Sequence, residues 1–100
     1  MTHTVVFAVE ARRDFAALYD YILPRGGERV ARDYVAKIYG YCLGFETFPE
    51  RGTLRDDIRP GLRTVGFRRK ATIAFTVSED TVTILRMFYA GQDVELGDDQ

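Results

Sequence analysis

The side chains best suited to chemistry in this chain are concentrated in one segment. Residues 51–70 hold two acids, Asp56 and Asp57, and seven basic side chains, namely Arg51, Arg55, Arg59, Arg63, Arg68, Arg69 and Lys70. The segment therefore carries a local charge of +5, whereas the whole chain has a formal net charge of -1. The planar guanidinium of arginine makes paired hydrogen bonds with carboxylates and phosphates. This pattern predicts a surface that meets an acidic partner.

Other reactive side chains are sparse. The single cysteine, Cys42, excludes an internal disulfide and a cysteine-rich metal site, and its apolar helical face indicates an inert core thiol. The single histidine, His3, precedes the first predicted strand and has no predicted role. The chain has no Gly-rich phosphate-binding motif. We therefore predict no metal site and no cofactor.

Length and composition indicate one small domain over residues 1–100, with enough apolar content for a single core. We find no signal-peptide pattern and no apolar run near the roughly 20 residues that span a bilayer. The lone cysteine fits a reducing compartment, so we predict a cytoplasmic protein without membrane contact. Acidic residues accumulate at the end of the chain, where we predict a mobile acidic tail over residues 93–100.

Two helices are predicted to position the basic segment. Ala11, Phe15, Leu18 and Ile22 recur at helical spacing, and Pro24 with Gly26-Gly27 is expected to stop this helix. A second helix over about residues 28–47 has its own apolar face, formed by Ala31, Val35, Ile38, Cys42 and Phe45. Because few residues join the two helices, they should form an antiparallel hairpin.

Strands are predicted on both sides of this hairpin. Thr4–Val9 is β-branched and aromatic, with Val5, Phe7 and Val9 on one face. Residues 47–60 contain loop punctuators, and three strand candidates follow: Leu62–Phe67, Ala71–Val77 and Thr81–Ala90. The last is nearly continuously apolar, as expected for a central strand. The predicted fold is α+β, with order β-α-α-β-β-β and the helical hairpin packed on one face of a small, mainly antiparallel sheet.

Four short segments after the predicted helical hairpin carry a likeness to a known family. The helical hairpin followed by FPERG, RPGLR, GFRRK and ILRMFYAGQD resembles the ParE/RelE superfamily of toxins from type II toxin–antitoxin modules. The sequences of these segments are more similar to the ParE (plasmid-stabilisation) branch than to the RelE branch. The resemblance implies a toxin held inactive by a ParD-like antitoxin in a hetero-oligomer. It also implies one of two targets: ParE-like toxins poison DNA gyrase, and RelE-like toxins cut mRNA on the ribosome.

The resemblance suggests different roles for the same residues under the two hypotheses. As a gyrase poison, the chain would contact its target or antitoxin through Arg59, Arg63, Arg68, Arg69, Lys70, Arg86 and Tyr89, and nucleic acid only indirectly. As a nuclease, Arg63, Arg68, Arg69 and Arg86 would stabilise phosphate charge, with Tyr89 transferring or positioning a proton. The histidine that precedes this tyrosine in some relatives is Phe88 here, and Glu50 is the one acid in the neighbourhood available as a base. Glu50 lies at the entrance of the loop, so a convincing catalytic base is missing, and this favours the gyrase hypothesis.

Alternatives remain open at this stage. A third functional alternative is a degenerate member that only binds antitoxin. The alternative for Arg59 and Arg63 is pairing with Asp56, Asp57 or the acidic tail, which would contribute about 0–1 kcal/mol. Arg86 shares strand parity with Val82, Ile84 and Phe88, so it either points into a polar groove or pairs internally with an acid. For the antitoxin, we predict a segment that folds across a groove between sheet and helices, with acids that meet residues 59–70.

Overall fold

A five-stranded sheet carries a helical element on one face in the computed structural model, which describes residues 2–68 and 70–89. The elements, in chain order, are β1 Thr4–Phe7, α1 Val9–Leu43, a 3₁₀ helix Gly44–Glu46, β2 Thr53–Leu54, β3 Leu62–Phe67, β4 Ala71–Val77 and β5 Thr81–Tyr89. The strand order is β1-β5-β4-β3-β2; β1 runs parallel to β5, and the other pairs are antiparallel. The predicted α+β class and mainly antiparallel sheet are confirmed.

The predicted helical hairpin lies within α1, which is broken at Gly27 (φ 89°, ψ 170°) into arms of residues 9–26 and 28–43. The rings of Phe15 and Tyr39, one from each arm, are 6.3 Å apart. In a continuous helix these positions would be separated by about 36 Å, so the arms fold back on each other. The first helix ends at the predicted Gly26-Gly27 pair, whereas Pro24 does not stop it, since the chain stays helical to residue 26. The break falls at Gly27 because only glycine readily adopts this backbone conformation.

Three element boundaries differ from the predictions. Val9 begins α1 instead of ending β1, because Ala8 N–H donates to Ile84 O at the last position of the ladder and the chain then turns. The second arm ends at Leu43 and tightens into the 3₁₀ helix, so residues 44–46 are not α-helical. The predicted loop 47–60 contains β2, whose Thr53 and Leu54 pair with β3.

The core lies between α1 and the sheet, and the predicted helical faces supply it. From α1 and the 3₁₀ helix it receives Ala11, Phe15, Leu18, Ile22, Ala31, Ile38, Cys42 and Phe45. From the sheet it receives Ala71, Ile73, Phe75, Val82, Ile84 and Met87. Burial raises the pKa of the Cys42 thiol from 9.0 to about 12, as expected for an inert core cysteine. A smaller apolar cluster of Leu62, Ala74 and Phe88, covered by Ile58 and Leu85, lies on the opposite face of the sheet.

Several predictions concern residues outside the described ranges. They are Arg69, the end of the last predicted strand at Ala90, and the predicted tail over residues 93–100.

Candidate functional site

Arg86 is held by a carboxylate from α1. Its Nε and Nη2 atoms donate to Asp14 at 2.7 and 3.0 Å, and the backbone N–H of Met87 donates to the same carboxylate at 2.9 Å. These hydrogen bonds raise the pKa of Arg86. β1 pairs with β5 only as far as Ile84, and the Asp14 carboxylate accepts the Met87 N–H beyond that point. Of the two alternatives left open for Arg86, the structure selects internal pairing with an acid.

Arg86 was predicted to share one side of β5 with Val82, Ile84 and Phe88. It shares a side with Phe88 but not with Val82 and Ile84, because β5 contains an irregularity. Ile84 pairs with Phe75 but Arg86 pairs with Ala74, so Leu85 has no partner in the β4 register. Such a bulge reverses the alternation of side chains beyond it. Val82 and Ile84 consequently face the helices, whereas Arg86 lies with its guanidinium 4.8 Å from the Phe88 ring on the opposite face.

Two arginines of the basic segment, Arg63 and Arg51, have structural partners around β2. Arg63 donates from Nε to Arg51 O at 3.2 Å and from Nη2 to Glu50 O at 3.4 Å, which ties the loop before β2 to β3. Arg51 lies within 5.6 Å of the rings of Tyr41, Phe45 and Phe48 and donates to Phe48 O. These arginines support the fold around β2, so their charge is not evidence for a partner.

The predicted pairing of Arg59 and Arg63 with Asp56 or Asp57 does not occur among the described residues. Asp57 instead accepts two hydrogen bonds from Arg55, at 3.0 and 2.8 Å, which lower the pKa of Asp57 and raise that of Arg55. Asp56 accepts a hydrogen bond from Gly61 N–H at 2.8 Å. Both acids therefore act within the loop that connects β2 and β3.

Three predicted contact residues are exposed: Arg59, Arg68 and Lys70. Within residues 2–68 and 70–89 their side chains form no hydrogen bond or ion pair, although Arg68 lies 5.2 Å from the Phe67 ring. They do not form one patch. Arg59 precedes β3 and the other two follow it, and the six residues of β3 separate its ends by about 17 Å.

Tyr89 and Lys70 belong to a cleft of about 360 Å³ beside the break in α1. The Tyr89 ring lies edge-on to Tyr21 at 5.7 Å and to Tyr34 at 5.6 Å. Burial, and then the neighbouring Tyr89 phenol, raises the pKa of Tyr34. We call this feature the aromatic–basic cleft; its described lining is Tyr21, Ile22, Arg25, Gly26, Val30, Tyr34, Lys70 and Tyr89.

Tyr21 and Arg25, which line this cleft, were not among the site residues predicted from the sequence. Arg25 stacks 3.9 Å above the Tyr21 ring and donates to Tyr21 O. Both residues are exposed on the first arm, within two turns of Gly27. An exposed aromatic residue one turn from a cation, next to a helix break, was a usable signal. The Tyr21 ring, however, meets Tyr89 only in the folded chain, where the two arms fold back on each other.

Glu50, the one acid considered as a base for nuclease chemistry, is located elsewhere. It lines a separate cleft with His3 and Arg63, near the N-terminal end of β3. The aromatic–basic cleft has no carboxylate or imidazole among its described lining residues. A cation and phenols can bind and orient an anionic group there, but no described residue of the cleft is an effective proton acceptor at neutral pH.

A third concave surface borders strand β1. It is an apolar groove of about 480 Å³ lined by Val5, Val6, Phe7, Arg12, Phe15, Val35 and Tyr39. Strand β1 is an edge of the sheet, so strand addition is possible along it, except where Phe7 O accepts a hydrogen bond from Arg12 Nε and His3 N–H donates to Glu46 O. Val6 and Tyr39 keep 41% and 46% of their surface exposed, which is apolar surface that a partner can bury.

The described ranges show neither a membrane-spanning helix nor a cluster of metal-ligating side chains. No helix in the described ranges combines the length and apolar character needed to cross a bilayer. No group of three or more metal-ligating side chains is found in those ranges either.

Comparison with known proteins gives the fold and then the family. A chain from the chromosomal ParDE TA system from P. aeruginosa superposes with a TM-score of 0.78 and 23% identity, covering 89% of this chain and 97% of that one. The conserved hypothetical protein HP0894 from Helicobacter pylori has a TM-score of 0.44 and 14% identity, over 89% and 94% of the two chains, too low to support any conclusion. The curated proteins gave no match.

A family model places the chain more specifically. The model for the ParE toxin of the type II toxin–antitoxin system, parDE, matches residues 5–94. The chain therefore belongs to the ParE toxin family of type II toxin–antitoxin systems, as the resemblance in sequence predicted.

Proposed function

We propose that this toxin inhibits DNA gyrase by protein–protein contact in the cytoplasm and is neutralised by a ParD-like antitoxin. Membership of the ParE family supports the proposal. The structural observation that carries it is the composition of the aromatic–basic cleft, which combines phenol rings with the exposed cation Lys70 and has no proton acceptor among its described residues. Tyrosine and arginine, which this cleft presents as Tyr21, Tyr34, Tyr89 and Arg25, are enriched in protein interfaces.

The two lysines of the chain provide a matched test of target contact. Lys70 and Lys37 are both exposed, but only Lys70 lines the cleft. Because opposed like charges at an interface are strongly unfavourable, we expect Lys70→Glu to raise the toxin concentration needed for half-inhibition of gyrase supercoiling about tenfold or more. Lys37→Glu makes the same charge change on the second helical arm and should leave inhibition within twofold. Unaltered supercoiling at saturating wild-type toxin would refute the gyrase proposal.

The second candidate function is a ribosome-dependent endoribonuclease. It is favoured by one observation, the presence of Lys70 beside Tyr89, which brings a cation to the phenol that would move or orient a proton. Primer extension on translated mRNA distinguishes the two functions. Cuts within codons during growth arrest, lost in Tyr89→Phe, support the nuclease; intact messages during arrest exclude it.

For the antitoxin, we propose that a segment folds onto the apolar groove beside β1 and continues to the aromatic–basic cleft. The support is the combination of an exposed strand edge with adjacent apolar side chains, which suits a disordered chain that orders on binding. Acidic residues of the segment would meet Lys70 and Arg68. We expect Val6→Asp to weaken toxin–antitoxin binding at least tenfold in calorimetry. Unchanged affinity would show that the groove is not used.

A further inference from the structure

The loop of residues 55–61 is stabilised by its own hydrogen bonds. Arg55 N–H donates to Leu62 O at 2.6 Å and Leu62 N–H to Arg59 O at 3.1 Å. Ile58 N–H and Arg59 N–H both donate to Arg55 O. The Arg55–Asp57 pair and the Asp56–Gly61 bond close the remaining turn. A loop with this many internal bonds is organised before it meets a partner, which lowers the entropy lost on binding.

Ile58 anchors the loop on the sheet face opposite the helices. Its side chain packs on the cluster of Leu62, Ala74 and Phe88. Arg59, the next residue, is exposed, and its guanidinium has no hydrogen bond or ion pair within residues 2–68 and 70–89. Within the described residues the anchored loop thus presents one uncommitted cation, and the loop begins directly after Leu54 of strand β2, whose apolar side chain is exposed.

The chemistry of the loop selects the kind of partner. Nucleic acid is disfavoured, because its continuous run of phosphates would approach the carboxylates of Asp56 and Asp57 as well as Arg59, whereas a single carboxylate on a protein can reach Arg59 alone. Strand addition by a disordered segment is disfavoured as well, since the N–H groups of Arg55, Ile58, Arg59 and Gly61 are already bonded. An isolated arginine on a preorganised loop, bordered by apolar surface, matches the anchor residue of an interface with a folded protein.

We propose that the 55–61 loop is a target-contacting element that is separate from the antitoxin surface, with Arg59 binding carboxylates on a folded protein. This inference rests on the proposed function, in which the toxin acts by contact with a protein target. It divides the basic segment into two sites at the two ends of β3. Arg59 contacts the target only, whereas the aromatic–basic cleft with Lys70 contacts the target in the free toxin and is covered, together with the β1 groove, when the antitoxin binds.

A separation-of-function experiment tests the division. Arg59→Glu, Lys37→Glu and wild-type toxin are each induced in cells lacking antitoxin, and each purified protein is titrated with the antitoxin encoded beside its gene. We expect Arg59→Glu to need at least tenfold more inducer for half-maximal growth arrest and to bind antitoxin within threefold of wild type. Lys37→Glu should match wild type in both assays. Thermal unfolding is expected to be unchanged in both variants, because neither side chain has a described hydrogen bond or ion pair.

Each outcome has one interpretation. Wild-type arrest with equal arrest by Arg59→Glu overturns the role of the loop while leaving the proposed function intact. If Arg59→Glu loses both antitoxin affinity and toxicity while unfolding at the wild-type temperature, the separation of the two surfaces is overturned. Absence of arrest by the wild-type toxin contradicts the proposed function itself, and the inference falls with it.

Discussion

Removing the Asp14 carboxylate is the most informative perturbation of this fold. Asp14 accepts hydrogen bonds from Arg86 Nε, Arg86 Nη2 and Met87 N–H, and its side chain is only 14% exposed. Replacing it by alanine leaves the Met87 N–H without this acceptor and the Arg86 guanidinium without its counter-charge. The substitution therefore tests whether one acid on α1 holds the last part of β5.

The expected cost follows from the surroundings of each group. Met87 is 2% exposed, and a buried N–H left without a partner costs about 1–3 kcal/mol. The Arg86 side chain is 36% exposed, so water screens its pairing with Asp14 and the ion pair contributes only about 1 kcal/mol. We therefore expect Asp14→Ala to lower the free energy of unfolding by about 2–4 kcal/mol. That is a large part of the ~5–15 kcal/mol typical of a small domain.

Urea unfolding followed by circular dichroism measures this change, and two variants calibrate it. Asp14→Asn keeps an oxygen acceptor for the Met87 N–H and loses only the charge, so about 1 kcal/mol is expected. It also provides a measurement if Asp14→Ala does not fold. Asp20→Ala removes an exposed acid from the same arm and should change stability by less than about 0.5 kcal/mol.

A double-mutant cycle separates the pair from the backbone bond. Combining Asp14→Ala with Arg86→Met should give a coupling energy of about 0.5–3 kcal/mol, as for other side chains in contact. The reasoning fails if Asp14→Ala is no more destabilising than Asp20→Ala. It also fails if the two changes at Asp14 and Arg86 are simply additive.

Two further changes test the backbone and the core. Gly52 has φ 71°, and a Cβ there would lie 2.1 Å from Thr64 O, so Gly52→Ala should cost about 2 kcal/mol or more in urea unfolding. Gly40→Ala, at an exposed helical position with nothing within 4 Å, should instead stabilise by about 0.5–1 kcal/mol; two changes of the same sign would contradict this account. The Cys42 pKa is raised from 9.0 to about 12 on folding, so the unfolded thiol ionises first and its contribution to stability is lost as pH rises through this range. We expect a slope of up to about 1.4 kcal/mol per pH unit, reduced in Cys42→Ala, and equal slopes for both proteins would refute the assignment.

Local patterns in the sequence determined the elements and the core. Apolar residues at helical spacing were sufficient to find both arms of α1, and every residue of the first predicted face, Ala11, Phe15, Leu18 and Ile22, is buried. Alternation and turn length were sufficient for the β3–β4–β5 meander. These features depend on neighbours within a few positions, and burying the apolar ones dominates the free energy of folding.

The tertiary structure decided which cations remain available. Asp14 and Arg86 are 72 residues apart, and their pairing depends on where β1 ends and where β5 bulges. Arg51, Arg55 and Arg63 are equivalent to Arg59 by composition, yet these three side chains acquire partners, whereas that of Arg59 has none within residues 2–68 and 70–89. No local pattern contains this information, because the energy of a charged side chain depends on the groups that the rest of the chain places around it.

The aromatic–basic cleft likewise exists only in the folded chain. Tyr21, Tyr34 and Tyr89 come from two helical arms and the final strand, and they meet because Gly27 reverses the chain and β5 ends beside that reversal. The sequence alone was enough to determine the class of fold, the ParE likeness and a basic segment. The division of that segment into structural arginines and two exposed sites at opposite ends of β3 was decided by the tertiary structure, since strand register sets which side chains become neighbours.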